Sequence, residues 1–225
     1  MKILGVDEAG RGPVIGPMVI CGVLFDEASV PALVWLGVKD SKQLIPERRL
    51  QLREAILALA EAYHLVELSP QEIDGAVRLR MLNQLEAKKI AEIIDSLKPD
   101  IAYVDAPSTN PRGFLRLLRR FLTANTRIVA ENHADEIYPV VGAASILAKT
   151  RRDEIVQGYC KAYGEVGSGY PSDEVTVAFL ESYYRLHRSF PEFVRLEWQT
   201  RKDVLCRIMQ RRLDHFAESR MGEGG

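Results

Sequence analysis

Acidic residues follow apolar segments that predict two neighbouring strands. Asp7 and Glu8 come directly after the first apolar segment, and Asp105 comes directly after the fourth. If these strands lie side by side, their ends bring the carboxylates together, and Asp135 precedes a predicted helix that could complete the group. Clustered carboxylates favour a divalent cation, because their negative charges raise one another's pKa values. The pattern predicts a metal site that could hydrolyse a phosphodiester; alternatively, each acid caps a helix or lies in a solvated loop.

A glycine-rich loop follows the first two acids, with glycines at positions 10, 12 and 16 and prolines at positions 13 and 17. It is a poor match to a dinucleotide fingerprint, since one residue too many separates the last two glycines and the prolines interrupt any following helix. Glycines do allow the backbone to approach a substrate closely. Because a 2′-hydroxyl both donates and accepts hydrogen bonds, such a backbone could distinguish RNA from DNA.

Segments that predict strands alternate with segments that predict helices, which indicates an α/β sheet. The helical last third of the chain predicts helices appended to that sheet, and the glycine-rich end is expected to fray. The predicted strands are 2–6, 18–25, 64–68, 101–104 and 127–130. The predicted helices are 46–63, 81–97, 111–124, 137–163, 173–188 and 196–216.

The composition excludes several classes of protein. With 47% hydrophobic residues in 225, the chain is too apolar for disorder, and no apolar run approaches the roughly 20 residues of a membrane helix. The acids at positions 7 and 8 interrupt what would be the core of a signal peptide, so secretion is not expected. The 3 cysteines lack metal-ligand spacing and are interpreted as reduced packing thiols of a cytosolic protein.

Positive charge is unevenly distributed, although the formal net charge is only −1. Residues 185–212 have a clear excess of basic over acidic side chains, and residues 112–120 contain four arginines and no acid. Segregated positive charge is typical of a surface that binds a polyanion. The alternative is that these residues form ordinary solvated helix faces.

Five motifs together resemble the archaeal form of ribonuclease HII. They are GVDEAGRGPVIGPMV, KDSKQL, AYVDAP, ENHADEIYPVVGAASILAKTRRD and GSGYPSD, in order from Met1 to about Trp198. The resemblance implies an α/β RNase H-like fold, with a five-stranded mixed sheet flanked by helices and a helical C-terminal extension. It also implies Mg²⁺- or Mn²⁺-dependent cleavage of the RNA strand of RNA–DNA hybrids and cutting 5′ of single ribonucleotides in duplex DNA, which leaves 3′-hydroxyl and 5′-phosphate ends.

The resemblance also implies roles for particular residues. The catalytic and metal-binding acids correspond to Asp7, Glu8, Asp105 and Asp135. The loop that recognises the 2′-hydroxyl corresponds to Gly10, Arg11 and Gly12, and the tyrosine that stacks beneath the sugar at the RNA–DNA junction corresponds to Tyr170. Phosphate contacts are expected from Lys42, from Lys149 and from Arg151 or Arg152. We expect a catalytic domain over 1–165, a helical extension over 166–216 and a flexible tail over 217–225, in a cytoplasmic monomer that acts in ribonucleotide excision repair and DNA replication.

A second motif lies in the last predicted helix. Gln210, Leu213 and Phe216 fit the glutamine, aliphatic and aromatic positions of peptides that dock on sliding clamps. One helical turn would present Leu213 and Phe216 to an apolar groove, although Ala217 replaces the usual second aromatic residue. The alternative is that this segment ends an amphipathic helix packed on its own domain.

Other interpretations remain open for the function and for single residues. The same carboxylates could serve another nuclease of this fold, such as a resolvase or a DNA exonuclease, or the chain could be a non-catalytic hybrid-binding or sliding-clamp adaptor protein. Tyr170 could be a packing aromatic, the two lysines could be solvated, and Arg11 could be an ion-pair partner of Glu8. The run 142–145 is interpreted as close helix packing, and Trp35 is expected to be at least half-buried.

Overall fold

The computed structural model describes residues 1–38 and 46–222, with residues 46–47 and 211–222 described by their backbone. The strands are β1 (Lys2–Ala9), β2 (Met18–Asp26), β3 (Ala62–Leu68), β4 (Ile101–Asp105) and β5 (Arg127–Glu131). The helices are α1 (Val30–Leu36), α2 (Pro46–Leu59), α3 (Pro70–Arg78), α4 (Leu82–Leu97), α5 (Pro111–Leu118), α6 (Ala134–Ile137), α7 (Pro139–Tyr163), α8 (Glu174–His187) and α9 (Gln199–Gly222). Across the described ranges, no helix has the length and apolar character needed to span a bilayer.

The five strands form one mixed sheet in the order β3-β2-β1-β4-β5. Strand β1 is antiparallel to β2 and parallel to β4, and β4 is parallel to β5. The predicted five-stranded mixed sheet is therefore confirmed, as is the predicted adjacency of the first and fourth strands. Because β1 and β4 are parallel, their carboxyl ends lie at the same edge of the sheet.

Helices pack closely on both faces of the sheet, and two glycines permit the close approach. A Cβ atom at Gly5 would overlap the backbone of Val140 in α7, and a Cβ atom at Gly22 would overlap the Ile93 side chain of α4. Gly22 lies opposite Val6 in the register, so the two glycines face opposite sides of the sheet. Side chains of β1 with the same parity as Gly5, including Asp7, point toward α7.

Several predicted boundaries differ from those in the structure. Strand β1 does not stop before Asp7 but continues to Ala9, because its backbone keeps pairing with β2 through Ala9 and Val19. Tyr63 belongs to β3, in which it pairs with Val23 of β2, and not to the preceding helix. The helix predicted over 111–124 ends at Leu118, the helices α1 and α3 were not predicted, and the last helix continues beyond 216. Trp35 is 91% exposed, which contradicts the expected burial.

By residue contacts the chain divides into two compact units. The sheet unit comprises Met1–Arg11, Pro17–Leu68 and Leu79–Glu154, and the C-terminal unit comprises Gly12–Gly16, Ser69–Arg78 and the chain from Ile155 onward. The core of the C-terminal unit joins the glycine-rich loop to the later helices, through Val14, Ile15, Val156, Val166, Leu180, Phe193, Val194, Val204 and Ile208. The predicted division into domains at 165 and 216 stays a prediction.

Candidate active site

Three of the predicted acids meet at the carboxyl ends of β1 and β4. One oxygen of each of Asp7, Glu8 and Asp105 lies within 4.8 Å of the others. The parallel pairing of Val6 with Val104 places the following residues of the two strands side by side. The two strand ends therefore bring the carboxylates together as the sequence predicted.

Asp135 lies close to this group without belonging to the three that lie within 4.8 Å. It is within the short helix α6 rather than before a helix, and it is 3% exposed. The backbone N–H of Ala134 donates to Oδ1 of Asp105 at 2.8 Å, so the start of α6 is attached to the end of β4. The charge of Asp135 also contributes to raising the pKa of Asp7.

The pKa of the Asp7 carboxyl group is strongly raised by its surroundings. Burial, followed by the charge of Asp105, raises its pKa to about 7. The hydroxyl of Ser145 in α7 and the backbone N–H of Glu8, at 2.7 Å, both donate to this carboxyl and oppose the increase in its pKa. Ser145 was predicted only as a packing residue; the pattern of small residues around it gave no indication of this hydrogen bond.

Glu8 is held in a similarly negative environment. Burial raises its pKa well above the usual range, and the charges of Asp7, Glu86 and Asp105 add to the increase, while Arg11 opposes it. Three hard oxygen donors are thus gathered where their ionised forms are unfavourable without a cation. This donor set fits Mg²⁺ or Mn²⁺, which prefer carboxylate oxygen ligands.

The first residues of the glycine-rich loop follow β1 within the sheet unit. Gly10 has φ +88°, and a Cβ atom there would lie 2.7 Å from the Pro17 carbonyl oxygen and 2.6 Å from Cδ of Arg152, so only glycine fits. The guanidinium of Arg11 donates to Oδ1 of Asn83 at 2.7 Å and to the carbonyl of Pro107.

The principal ionic partner of Arg11 is a residue that the sequence reasoning missed. Nε of Arg11 lies 3.0 Å from Oε1 of Glu86, which is 1% exposed on α4. Burial raises the pKa of Glu86 to about 7, and the charge of Arg11 opposes that increase. The available signal was a single glutamate on the otherwise apolar face of α4, beside Ala87 and Ile90. The alternative pairing of Arg11 with Glu8 stays a prediction, and the charge of Arg11 opposes the rise in the pKa of Glu8.

The last glycine of the GRG motif and the predicted stacking tyrosine are neighbours within the C-terminal unit. A Cβ atom at Gly12 would lie 3.9 Å from the ring of Tyr170, which is 43% exposed. The carbonyl of Gly169 accepts from the N–H of Val14 at 2.8 Å, and the indole of Trp198 donates to the carbonyl of Gly12 at 2.8 Å. These bonds fix the backbone on both sides of the contact.

Asp173 holds together the turn that carries Tyr170. Its carboxylate accepts from the N–H and hydroxyl of Ser168, at 2.6 and 2.7 Å, and from the N–H of Val175 at 3.0 Å. These hydrogen bonds, those from Ser168 first, lower the pKa of Asp173 to about 2. Asp173 also caps the N-terminus of α8, so the turn and the helix are fixed by one side chain.

The remaining predicted contacts have varied positions. Lys149 is half-buried on α7, one turn beyond Ser145. Arg151 pairs with Glu67 and Glu154, and Arg152 is 5% exposed. Lys42 lies outside the described residues. Of the clamp motif, Gln210 is exposed and α9 continues through positions 213 and 216, but the side chains of Leu213 and Phe216 lie outside the described part.

The fold is shared with solved nucleases. The chain superposes on ribonuclease H2 from Pyrococcus horikoshii OT3 with a TM-score of 0.86 and 42% identity, covering 92% of this chain and 98% of that one. It also superposes on the protein of the PCNA:RNase HII complex from Archaeoglobus fulgidus with a TM-score of 0.82 and 39% identity, covering 90% and 96%. A five-stranded sheet of this topology with acids at two adjacent strand ends defines an RNase H-like metal-dependent hydrolase.

Sequence comparison identifies the family within this class. The model of the family described as Ribonuclease HII matches residues 4–201. Ribonuclease HII from Thermococcus kodakarensis is 50% identical over 210 residues, which span 92% of this chain and 91% of that protein. The chain belongs to the ribonuclease HII family, and it is an enzyme of the ribonuclease H type.

Proposed function

We propose that the chain hydrolyses the RNA strand of RNA–DNA hybrids and cuts on the 5′ side of single ribonucleotides embedded in duplex DNA, leaving 3′-hydroxyl and 5′-phosphate ends. The carboxylates of Asp7, Glu8 and Asp105, within 4.8 Å of one another, are the observation that carries this proposal. Asp7 and Glu8 lie on β1, the strand that leads directly into Gly10 and Arg11. A catalytic centre is thus continuous with a backbone that could contact a sugar.

In this proposal Asp7, Glu8, Asp105 and Asp135 hold Mg²⁺ or Mn²⁺. A bound divalent ion would supply an activated water and stabilise the leaving oxygen of the phosphodiester. The protein orients its own ligands: Ser145 and the N–H of Glu8 fix the carboxyl of Asp7, and the N–H of Ala134 fixes that of Asp105. Oriented ligands reduce the reorganisation needed when a cation and a phosphate arrive.

The sugar would be recognised by the backbone of Gly10, Arg11 and Gly12. The proposed role of Gly10 is supported by its positive φ angle and by the closeness of Pro17 and Arg152, which exclude any side chain at this position. The 2′-hydroxyl is the group that differs between RNA and DNA, and backbone N–H and C=O groups can bond to it in both directions. Such contacts would restrict to ribonucleotides a metal centre that could otherwise cut any phosphodiester.

Tyr170 would pack beneath the sugar that follows the ribonucleotide. Its ring is partly exposed, and a Cβ atom at Gly12 would lie 3.9 Å from it. A deoxyribose has no 2′-hydroxyl to obstruct the ring. Lys149, and Lys42 outside the described residues, would bind backbone phosphates as compact positive charges.

The test uses a labelled DNA duplex that contains one ribonucleotide, incubated with the protein and Mg²⁺ or Mn²⁺, beside an identical all-DNA duplex. A single cut 5′ of the ribonucleotide, abolished by chelator and by Asp7→Asn, is the expected result. Cutting of the all-DNA duplex would instead indicate another nuclease of this fold. Metal-independent binding of hybrids without any cutting would favour the alternative of a non-catalytic adaptor.

We further propose a sliding clamp as a partner, bound through Gln210, Leu213 and Phe216. The similarity to the protein in the PCNA:RNase HII complex of Archaeoglobus fulgidus supports this proposal. Phe216→Ala and Leu213→Ala should abolish binding to purified PCNA in calorimetry while leaving cleavage unchanged. Met209→Ala, at an exposed position of the same helix, is the matched control. Equal binding by all the variants would contradict the proposal. We propose that a single copy of this chain would bind the clamp in the cytoplasm. It would act there in ribonucleotide excision repair and DNA replication.

A further inference from the structure

Helix α5 has a row of exposed arginines on the side opposite its buried residues. Phe114 and Leu118 are 3% and 0% exposed and attach the helix to the core of the sheet unit. Arg112 and Arg116 lie four residues apart on one face of the helix, and Arg119 and Arg120 follow in the turn after Leu118. We define the α5 arginine row as these four exposed residues.

Among the described residues, no acidic side chain forms an ion pair with the α5 arginine row. Positions 106–130 contain no aspartate or glutamate. By contrast, Arg49 and Arg53 on α2 pair with Asp153 and Glu154 at 2.6 and 2.7 Å. Four neighbouring guanidinium groups repel one another, so an anion that binds them relieves an unfavourable charge arrangement.

The position of the row relative to the carboxylate site is fixed. Helix α5 follows the strand that ends at Asp105, and residues 106–110 connect the two elements. The amide of Asn132 donates to the carbonyls of Ala106 and Ser108, at 2.9 and 2.7 Å, which holds this connection in place. Asn110 then caps the helix by accepting from the N–H of Gly113 at 2.9 Å. The row therefore begins at the edge of the sheet where the acids lie and extends away from it.

We propose that the α5 arginine row binds the phosphate backbone of the nucleic acid being cut, along the part of the duplex that leads away from the scissile phosphate. The proposal rests on the proposed function for the identity of the duplex. From Pro111 to Leu118 the helix rises roughly 10 Å, comparable to three nucleotides of one strand at about 3.4 Å each. Guanidinium groups bind phosphate through two parallel hydrogen bonds, which favours arginine over lysine here.

The salt dependence of duplex binding tests this surface without requiring cleavage. Fluorescence anisotropy with an RNA–DNA hybrid, in chelator, gives the slope of log K against log salt concentration. Each lost phosphate contact lowers the magnitude of that slope by about 0.9, so Arg112→Ala with Arg116→Ala should lower it by roughly 1.8. The matched control is Arg53→Ala with Arg78→Ala, which removes two ion-paired arginines and should leave the slope unchanged.

Kinetics distinguish failure of this inference from failure of the proposed function. The double variant should raise KM on a long duplex and leave kcat unchanged, because the row does not touch the reacting atoms. An unchanged slope and KM would overturn the inference, even if the protein cuts 5′ of a ribonucleotide as proposed. If the double variant keeps the parental slope but no longer binds polyglutamate, the α5 arginine row binds an acidic protein instead. That result would also overturn the inference. A lower slope in a chain that cuts elsewhere would support the row and contradict only the cleavage specificity.

Discussion

Nε of Arg11 lies 3.0 Å from Oε1 of Glu86, and the glutamate is 1% exposed. The arginine of the GRG motif is therefore directed toward α4 by a buried carboxylate. Its other nitrogens bond to Asn83 and Pro107, so three partners hold the guanidinium within the sheet unit. Breaking one side of a buried ion pair is costly, because the remaining charge loses its partner.

Glu86→Gln should reduce kcat/KM on a duplex with one ribonucleotide by roughly 10-fold or more, because the buried partner of the Arg11 guanidinium loses its charge. Steady-state kinetics beside Glu92→Gln measure this. Glu92 lies on the same helix but pairs with Lys89 near the surface, so its variant should retain full activity. Full activity of Glu86→Gln would show that the pair does not position the loop.

Asp7→Asn should stabilise the metal-free protein at pH 8 while abolishing cleavage. The carboxyl of Asp7 has a pKa of about 7 in the folded protein and 3.8 as its ordinary value, so its ionised form opposes folding above pH 7. That penalty decreases as the pH falls from 7 toward 4, where the folded protein gains the proton. Calorimetry in chelator should therefore show the Tm of the parent rising on acidification, and a smaller rise for the variant.

Divalent cation affinity should decrease as the pH falls below about 7. Binding requires the ionised carboxylates, and the raised pKa values of Asp7 and Glu8 mean that protons compete with the cation in this range. Titration calorimetry with Mn²⁺ at pH 6 and pH 8, in buffers of different ionisation enthalpy, should show weaker binding and greater proton release at the lower pH. Equal affinity at both values would contradict the expected competition.

Tyr170→Ala should impair cutting at a single ribonucleotide more than cutting of a long hybrid. The proposed contact is between the partly exposed ring and the deoxyribose that follows the ribonucleotide. Every cut at a single ribonucleotide occurs at such an RNA–DNA junction, whereas most cuts in a long hybrid do not. Tyr170→Phe keeps the ring and is the matched control, with near-parental activity expected on both. An equal loss on the two substrates would remove the proposed role.

Asp173→Ala should lower the Tm by several degrees, in line with the roughly 0.5–2 kcal/mol that an N-cap contributes. Because the folded pKa of Asp173 is about 2, below its ordinary 3.8, this stabilisation is present above pH 4 and is lost as the pH falls toward 2. Thermal melts of parent and variant should converge over that interval. Glu174→Ala, at the next position, is the control and should have little effect.

The apolar segments were sufficient to predict the five strands and an α/β fold, and the acids at the strand ends indicated a shared site, whereas the mixed sheet was implied by the resemblance of the five motifs to ribonuclease HII. The sequence was insufficient for the interactions that tune those acids. Ser145 and Glu86 lie on helices far along the chain from Asp7 and Arg11, and their roles depend on which turn of α7 or α4 faces the sheet. Strand β1 was predicted too short for a related reason, since its polar end is maintained by pairing with β2.

The contact between Gly5 and α7 sets a limit on how this enzyme could be redesigned. Position 5 has no side chain, yet a methyl group there would push against the Val140 backbone and displace the helix that carries Ser145. Asp7 would then lose a hydrogen bond that opposes its raised pKa. Libraries that aim to alter metal preference or pH optimum should therefore keep Gly5 constant, although it contacts neither cation nor substrate. A substitution at Gly5 would be tolerated only with a compensating change in α7.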